Sequence, residues 1–463
     1  MDLVFFLVLL SIFIAIYSVI GWYTSKQVKN VTDYFLAGRS LGVLSVTSGL
    51  LATQIGGGTL LGTASLAYDA GFFGLVYSLG MVVGLFILSM GVAARLQSFN
   101  IATTAELFEV GYGSHTLKKW ASFLSIVTLS GILVSQIVAS KALFAGIGIN
   151  HESVFLLFWF FIIFHTVIGG LESVIVVETY QVFFIFLTFV GIFLYCIVPE
   201  FAGIEFVNFV TLFTNALSIQ KTTFAQENFS FSYYISAFVI TACFVLIEQD
   251  IAQRFFAART RLVATVSALC AGILLILFSC IPIYFGMKAR LLGLPITPDI
   301  NPLMPSISRL TNDIVVVLAT CGVIAAISST ADSLLCAISS NLAQDFDMSW
   351  IGIQRGLYQS KIITLSIGIL VLTCSYLIPH SIIEIIIKSY ALSVSCLFVP
   401  LVYAYYSDTL KKQAAYGAVI AGFVGFMGVP LIAYVYPDWF VYVPQDLAPV
   451  LLSGIGFLIG YIV

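Results

Sequence analysis

Charge is scarce in this sequence. Asp, Glu, Lys and Arg make up 9% of its 463 residues, roughly a third of the share usual in a soluble domain, while 60% are apolar. A chain of this composition cannot cover a water-facing surface, so a soluble fold is excluded. Basic runs are missing as well: 19 Lys and Arg against 22 Asp and Glu leave a net charge of −3. Without a cluster able to track a phosphate backbone, nucleic-acid binding is not expected. Histidine is rare and scattered (His115, His151, His165, His380), and no HExxH occurs. A membrane enzyme would need converging acid, base or metal ligands, and the sequence offers none. The cysteines (Cys196, Cys243, Cys270, Cys280, Cys321, Cys336, Cys374, Cys396) sit singly in apolar stretches with no CxxC. They read as core residues rather than a disulfide framework or zinc site.

What is present is apolar length. A bilayer core about 30 Å thick takes a helix of about 20 apolar residues. Thirteen stretches qualify, numbered here α1 to α13: 2–23, 44–71, 73–95, 120–148, 153–169, 173–198, 232–256, 262–287, 313–343, 358–378, 381–406, 414–435 and 447–463. The first follows Asp2 and has no small-residue cleavage site, so it is expected to span the membrane rather than act as a secretory signal. Thirteen of the 19 Lys and Arg fall in the loops on one side, among them Lys26, Arg39, Lys118, Arg254, Arg355 and Lys411. The other side has only Lys221, Lys288, Arg290 and Arg309. The positive-inside rule then predicts an N-terminus outside and a C-terminus in the cytoplasm, in a plasma or bacterial inner membrane.

The expected organisation is a first helix and cytoplasmic loop (1–43), a five-helix repeat (44–198), an extracellular loop (199–231), a second and inverted five-helix repeat (232–406), and two C-terminal helices (407–463). The segment 288–311, with Pro295, Pro298, Pro302 and Pro305, could cap an entrance.

Two helices should depart from regularity or carry unusual polarity. Residues 52–59 of α2 read Ala-Thr-Gln-Ile-Gly-Gly-Gly-Thr, and each glycine costs roughly 1 kcal/mol relative to alanine in a helix. The helix is expected to open there, which hydrocarbon tolerates only where the break is buried in protein or lines a wet cavity. Close packing through the Gly58/Gly62 pair is the alternative reading. In α9, Ala326, Ser329, Thr330 and Ser333 share one face. Hydroxyls and freed carbonyls suit a hard cation such as Na⁺, although each hydroxyl could instead bond back to its own helix.

Ionisable groups within the bilayer are functional by default. Glu178 (α6) and Asp332 (α9) could jointly hold a cation or share a proton. Asp250 is expected to pair with Arg254 four residues on, Glu384 with Lys388, and Lys141 to snorkel outward.

Five motifs, in order, resemble the sodium/solute symporter family of sodium-coupled sugar, proline, choline and sialic acid carriers: DYFLAGRSLG, ATQIGGGTLLGTASLAY, IGGLESVIVVETYQ, QRFFAA and AAISSTADSLL. The resemblance covers about residues 20 to 430. It implies an all-α polytopic membrane protein with a LeuT-like inverted repeat, α2–α6 and α7–α11. It also implies Na⁺ ligated by the carbonyls of Ala52, Ile55 and Ala326 and the hydroxyls of Ser329 and Thr330. A second Na⁺, present in some members, would map to Ser329, Asp332, Ser333 and Glu178, where this chain has Glu instead of the usual Asp. Substrate would lie between α2 and α7, lined by Gln54, Gly56, Gly57, Gly58, Thr59, Phe244, Glu248 and Gln249, with Tyr68 or Tyr77 as a nearby wall. The glycine motif is most similar to choline carriers, yet Gln54 and Glu248 stand where those have aromatic residues, so the cage for a quaternary ammonium is missing. The implied function is sodium-coupled symport of a small polar organic solute by alternating access. An ionised Glu248 facing the cavity would favour an amine. A proton-coupled carrier of the same fold stays open, whereas a channel would need a continuous polar lining. The partners implied are the solute, Na⁺ and the lipid bilayer, and no obligate protein partner is evident.

Overall fold

The computed structural model describes residues 3–26, 28–149, 151–202, 231–296, 301–347, 356–377, 382–407, 409–436 and 444–462. Asp2, Lys221, Pro298, Arg355, His380 and most of the 199–231 segment lie outside the described residues. Within them the chain is helical, apart from one bridge between Leu41 and Ala258. The helices fall where the apolar stretches predict. They are α1 (Leu3–Ser25), α2 (Val43–Gln54, then Gly58–Gly62 and Thr63–Ala70), α3 (Leu75–Ile87 through Ala93–Ser98), α4 (His115–Gly146), α5 and α6 (the two limbs of Glu152–Ala202), α7 (Phe231–Val245 and Gln249–Ala257), α8 (Arg261–Leu291), α9 (Asp313–Asp345), α10 (Leu357–Cys374), α11 (Ile382–Tyr406), α12 (Lys412–Val435) and α13 (Ala448–Ile462).

Nine helices among the described residues are long and apolar enough to cross a membrane. Two of these runs, Gly58–Ser98 and Glu152–Val198, pass through a bend and each contain parts of two expected spans. With the shorter apolar helices Leu10–Ser25, Val43–Gln54 and Ala448–Ile462, all thirteen spans are represented. Exposed Phe183, Leu187 and Leu194 on α6 and Ile420, Val424 and Leu431 on α12 form the apolar exterior of a multi-pass integral membrane protein.

The α5–α6 bend depends on Gly170. Its φ of +56° is a conformation L side chains rarely adopt, and a Cβ there would lie 2.5 Å from the Tyr34 carbonyl. Tyr34 belongs to the DYFLAGRSLG motif, and its hydroxyl reaches the Val167 carbonyl at 3.2 Å, so the motif docks into the elbow. The same segment meets the QRFFAA end of α7. The Leu41 N–H donates to the Ala257 carbonyl (3.1 Å), the Arg259 N–H to the Leu41 carbonyl (3.0 Å), and Gln253 Nε2 to the Phe35 carbonyl (2.7 Å). Two motifs over 200 residues apart thus close the basic side of the molecule together.

α9 runs through the centre, against the α5–α6 run, α4 and the first half of α2. Every side chain from Ala319 to Asn341 is buried, as expected of a helix surrounded by others. α7 is broken as α2 is: Val245 ends its first half, and Glu248, extended at φ −65° and ψ 132°, precedes the second. Each five-helix set therefore begins with an interrupted helix, as the LeuT-like inverted repeat implied by the motifs requires.

Candidate functional site

The site is built from the two interruptions and α9. In α2 the helical path stops at Gln54, and Ile55 (φ −92°, ψ 74°) turns the chain out of it. The freed backbone groups find partners. The Gly57 N–H donates to Gln136 Oε1 of α4 (2.8 Å), the Thr59 hydroxyl donates to the Gln54 carbonyl, and the Leu60 N–H donates to the Gly56 carbonyl (3.0 Å). That is the internal satisfaction a break in hydrocarbon requires. Gln136, missed by sequence reasoning, sits among scattered serines of α4 with no local pattern to mark it. Gln136→Leu leaves the buried Gly57 N–H without an acceptor. The unfolding free energy in detergent is expected to fall by about 1–3 kcal/mol; an unchanged value would detach Gln136 from the break.

The Ala52 carbonyl, near the end of the first half of α2, points at α9. Thr330 Oγ1 lies 2.8 Å and Ser329 Oγ 3.4 Å from the Ala52 carbonyl oxygen, and Ser329 Oγ also lies 3.0 Å from the Ala326 carbonyl oxygen. The oxygens of Ala52, Ala326, Ser329 and Thr330 therefore converge, with Ile55 at the adjoining turn. All four contributing residues are nearly or fully buried. A set of neutral hydroxyl and carbonyl oxygens is what a small hard cation prefers. The back-bonding alternative is also realised, since Ser329 bonds its own helix while facing α2.

Across from this group, Glu248 stands at the α7 break with Gln54 against its carboxyl. Phe244, one turn earlier, stacks on Tyr390 of α11 with ring centroids 3.9 Å apart, and the Tyr390 hydroxyl meets that of Tyr77 at 3.3 Å. A Cβ on Gly58 would lie 2.6 Å from Ile386 and 3.3 Å from the Tyr77 hydroxyl, so α11 lies directly on the glycine run. Gln54, Gly58, Phe244, Glu248 and Tyr77 thus lie together with Tyr390, whereas Gly56 and Gly57 in the same run face Thr330, Gln136 and Ala139 of α9 and α4, and Thr59 bonds back to Gln54. Two expected members are elsewhere. Gln249 faces the loop after α3, with its Oε1 accepting from the Thr104 N–H (2.7 Å) and its Nε2 donating to the Ala102 carbonyl (3.1 Å). It neighbours Glu248 in sequence, but one residue of helix is a rotation of about 100°. Tyr68 lies at the other end of α2, with its hydroxyl 3.3 Å from the Leu294 carbonyl. A cavity of about 250 Å³ opens near that end, lined by Leu61, Leu143, Asn301 and Met304.

The expected second sodium position is filled by a guanidinium. Arg254, fully buried, donates through Nη2 to Glu178 Oε1 (2.8 Å) and Ser333 Oγ (2.6 Å), and through Nη1 to the backbone carbonyl of Asp250 (2.7 Å). The Ser333 hydroxyl also bonds Glu178. Asp332 turns from this group to the Thr166 hydroxyl and to His165 Nδ1 (3.4 Å). Glu178, Asp332 and Ser333 therefore do not form one cation cage. Nor does Arg254 pair with the Asp250 carboxylate, which accepts from the Ile251 N–H (2.9 Å). The longer reach to Glu178 wins because it offers a charged acceptor and a hydroxyl together. Likewise Lys388 pairs with Asp446 (3.0 Å) across to the segment before α13, instead of with Glu384. Lys141 lies over the Tyr376 ring (3.5 Å), half-exposed, as a snorkelling lysine should.

Interrupted helices heading two inverted repeats, meeting beside an oxygen-rich central helix, define a membrane solute carrier of the LeuT fold. The profile of the sodium:solute symporter family matches residues 34–425. The chain belongs to that family. Its fold is similar to that of a Na⁺-coupled sialic acid symporter in a substrate-bound outward-open state (TM-score 0.77, 17% identity, 99% of this chain and 97% of that one covered). It is also similar to Mhp1, a nucleobase-cation-symport-1 family transporter in a closed conformation with bromovinylhydantoin bound (TM-score 0.57, 13% identity, 92% and 94% covered). A third similar structure is MhsT in complex with L-phenylalanine (TM-score 0.52, 16% identity, 90% and 98% covered). The first two are transporters.

Proposed function

We propose that this protein imports a small polar organic solute together with Na⁺ by alternating access. Na⁺ is held by the carbonyls of Ala52, Ile55 and Ala326 and the hydroxyls of Ser329 and Thr330, and the solute binds between the α2 and α7 breaks. The observation that carries the reading is the 2.8 Å approach of Thr330 Oγ1 to the Ala52 carbonyl, because it joins the opened helix to α9 through oxygen atoms. An ion at that joint reports the relative position of α2 and α9. Sodium then drives uptake to the extent that it favours outward-facing and occluded forms over the inward-facing one. One coupling Na⁺ is expected, since Arg254 supplies a fixed positive charge beside Glu178 and Ser333. The distribution of Lys and Arg supports an N-terminus outside and a cytoplasmic C-terminus. The two breaks support the division into repeats at 44–198 and 232–406, flanked by 1–43 and 407–463.

The test is uptake into proteoliposomes of labelled sugars, amino acids, carboxylates and amines, with sodium and proton gradients imposed separately. Ser329→Ala and Thr330→Ala are each expected to raise the Na⁺ concentration for half-maximal uptake about tenfold, the loss of one ligand worth 1–2 kcal/mol. No change in either variant removes α9 from the ion site. Proton coupling is the second reading, and the Asp332–His165 contact at 3.4 Å favours it. Uptake driven by a pH gradient without Na⁺ would establish it.

A further inference from the structure

We propose that the solute is a small primary amine in its ammonium form, held between Glu248 at the α7 break and Gln54 at the α2 break. This rests on the symport reading above and names its substrate class. Three buried acceptors in this cluster have no hydrogen-bond donor: Gln54 Oε1, Glu248 Oε2 and Asp250 Oδ2. Gln54 and Glu248 are each 5% exposed and Asp250 is 1% exposed. The three side chains are neighbours, Gln54 against Glu248 and Glu248 against Asp250. Orphaned acceptors at such depth are destabilising, and a chain that retains three together where its helices open presents a socket for donors. A primary ammonium has three N–H donors and no acceptor.

Charge points the same way. Near the middle of the bundle Glu178, Glu248, Asp250 and Asp332 are buried against one buried guanidinium, Arg254, which is committed to Glu178. A proton shared between Glu248 and Asp250 would supply one of these two acceptors and leave the pair a single negative charge, which would repel a carboxylate and attract a cation. The stacked Phe244–Tyr390 pair and Tyr77 supply an apolar wall that also tolerates a cation. A sugar needs donors as well as acceptors from the protein and would leave the buried carboxyl charge uncompensated. A quaternary ammonium has no N–H and would leave all three orphaned.

The experiment is ligand-induced thermal stabilisation of the purified full-length protein in nanodiscs, in Na⁺ and in K⁺. The probes are ethanolamine, putrescine, choline, glycerol, glucose and lactate. Ethanolamine or putrescine should stabilise, choline should bind at least about tenfold more weakly, and glucose, glycerol and lactate should have no effect. Glu248→Gln should weaken amine binding about ten- to hundredfold and leave the Na⁺ midpoint of stabilisation unchanged. Stabilisation by glucose, glycerol or lactate with the amines silent overturns the proposal, and that panel uses the wild-type protein, so it decides even if the variant does not fold. Unaltered amine affinity in a folded Glu248→Gln protein overturns it equally. Amines binding alike in Na⁺ and K⁺ would uphold the amine and remove sodium coupling, whereas Na⁺ stabilisation with silent amines would remove the amine alone.

Discussion

Arg254→Met is expected to destabilise the protein by about 3–5 kcal/mol, the usual consequence of stripping one partner from a buried ion pair. The guanidinium is fully enclosed and bonds α6 through Glu178, α9 through Ser333 and its own helix through the Asp250 carbonyl. α2 completes the enclosure, because a Cβ on Gly49 would lie 3.1 Å from Arg254 Nε. Removing the side chain leaves the buried Glu178 carboxyl without its cation among four helices. The double variant Arg254→Met, Glu178→Gln should recover most of the loss, since no ion is then stranded. Arg254→Lys should recover little: a compact ammonium cannot span three acceptors that the planar fork reaches together. Thermal unfolding of the wild type, Arg254→Met, Glu178→Gln and the double variant gives the coupling energy directly. A single variant as stable as wild type, or a double no better than the single, would show that the pair does not hold these helices. The same geometry bears on stoichiometry. With a permanent cation beside Glu178, uptake should depend on Na⁺ with a Hill coefficient near one.

Arg254 also shows where sequence reasoning stops. Spacing favours Asp250, four residues away, and local spacing is all that a single sequence offers. The actual partner is 76 residues distant and is chosen by how α6 and α7 pack. Lys388 repeats the lesson with Asp446. Patterns written along one helix were legible: the thirteen apolar stretches, the opening forced by Gly56-Gly57-Gly58, and the shared face of Ala326, Ser329 and Thr330. The break in α7 was not, because Phe-Val-Leu-Ile-Glu-Gln-Asp contains no glycine or proline. The only local sign was an acidic restart, Glu248 and Asp250 at the beginning of a helical half, where negative charge is favoured. The rest of the break is tertiary, as when the Tyr405 hydroxyl of α11 caps the freed Leu246 carbonyl at 3.1 Å. Gln136 and Tyr390 were invisible for a related reason, being single residues given meaning by another helix.

Gly56→Ala should weaken Na⁺ dependence more than either hydroxyl deletion does, although it removes no ligand. The added methyl would lie 2.6 Å from Thr330 Oγ1, 3.1 Å from Thr330 Cβ and 2.9 Å from Gln136 Oε1. Real Cβ atoms do not approach so closely, so something must move. Thr330 cannot swing away freely, because a β-branched side chain in a helix has few rotamers and this one is anchored to the Ala52 carbonyl. Gln136 cannot withdraw without abandoning the Gly57 N–H. The alternative is to part α2 from α9, which separates the carbonyl oxygens from the hydroxyls. Overpacking of this kind costs about 1–3 kcal/mol, and if that falls on the ion-bound form the Na⁺ requirement rises roughly ten- to hundredfold. Gly428→Ala, with nothing within 4 Å of the new methyl, is the control and should transport normally. Because Thr330 is both the obstacle and the proposed ligand, Gly56→Ala and Thr330→Ala should be less than additive when combined, since deleting the hydroxyl relieves the tightest contact. Strict additivity would mean that the methyl acts somewhere other than the α2–α9 joint, and the ion would have to be sought elsewhere.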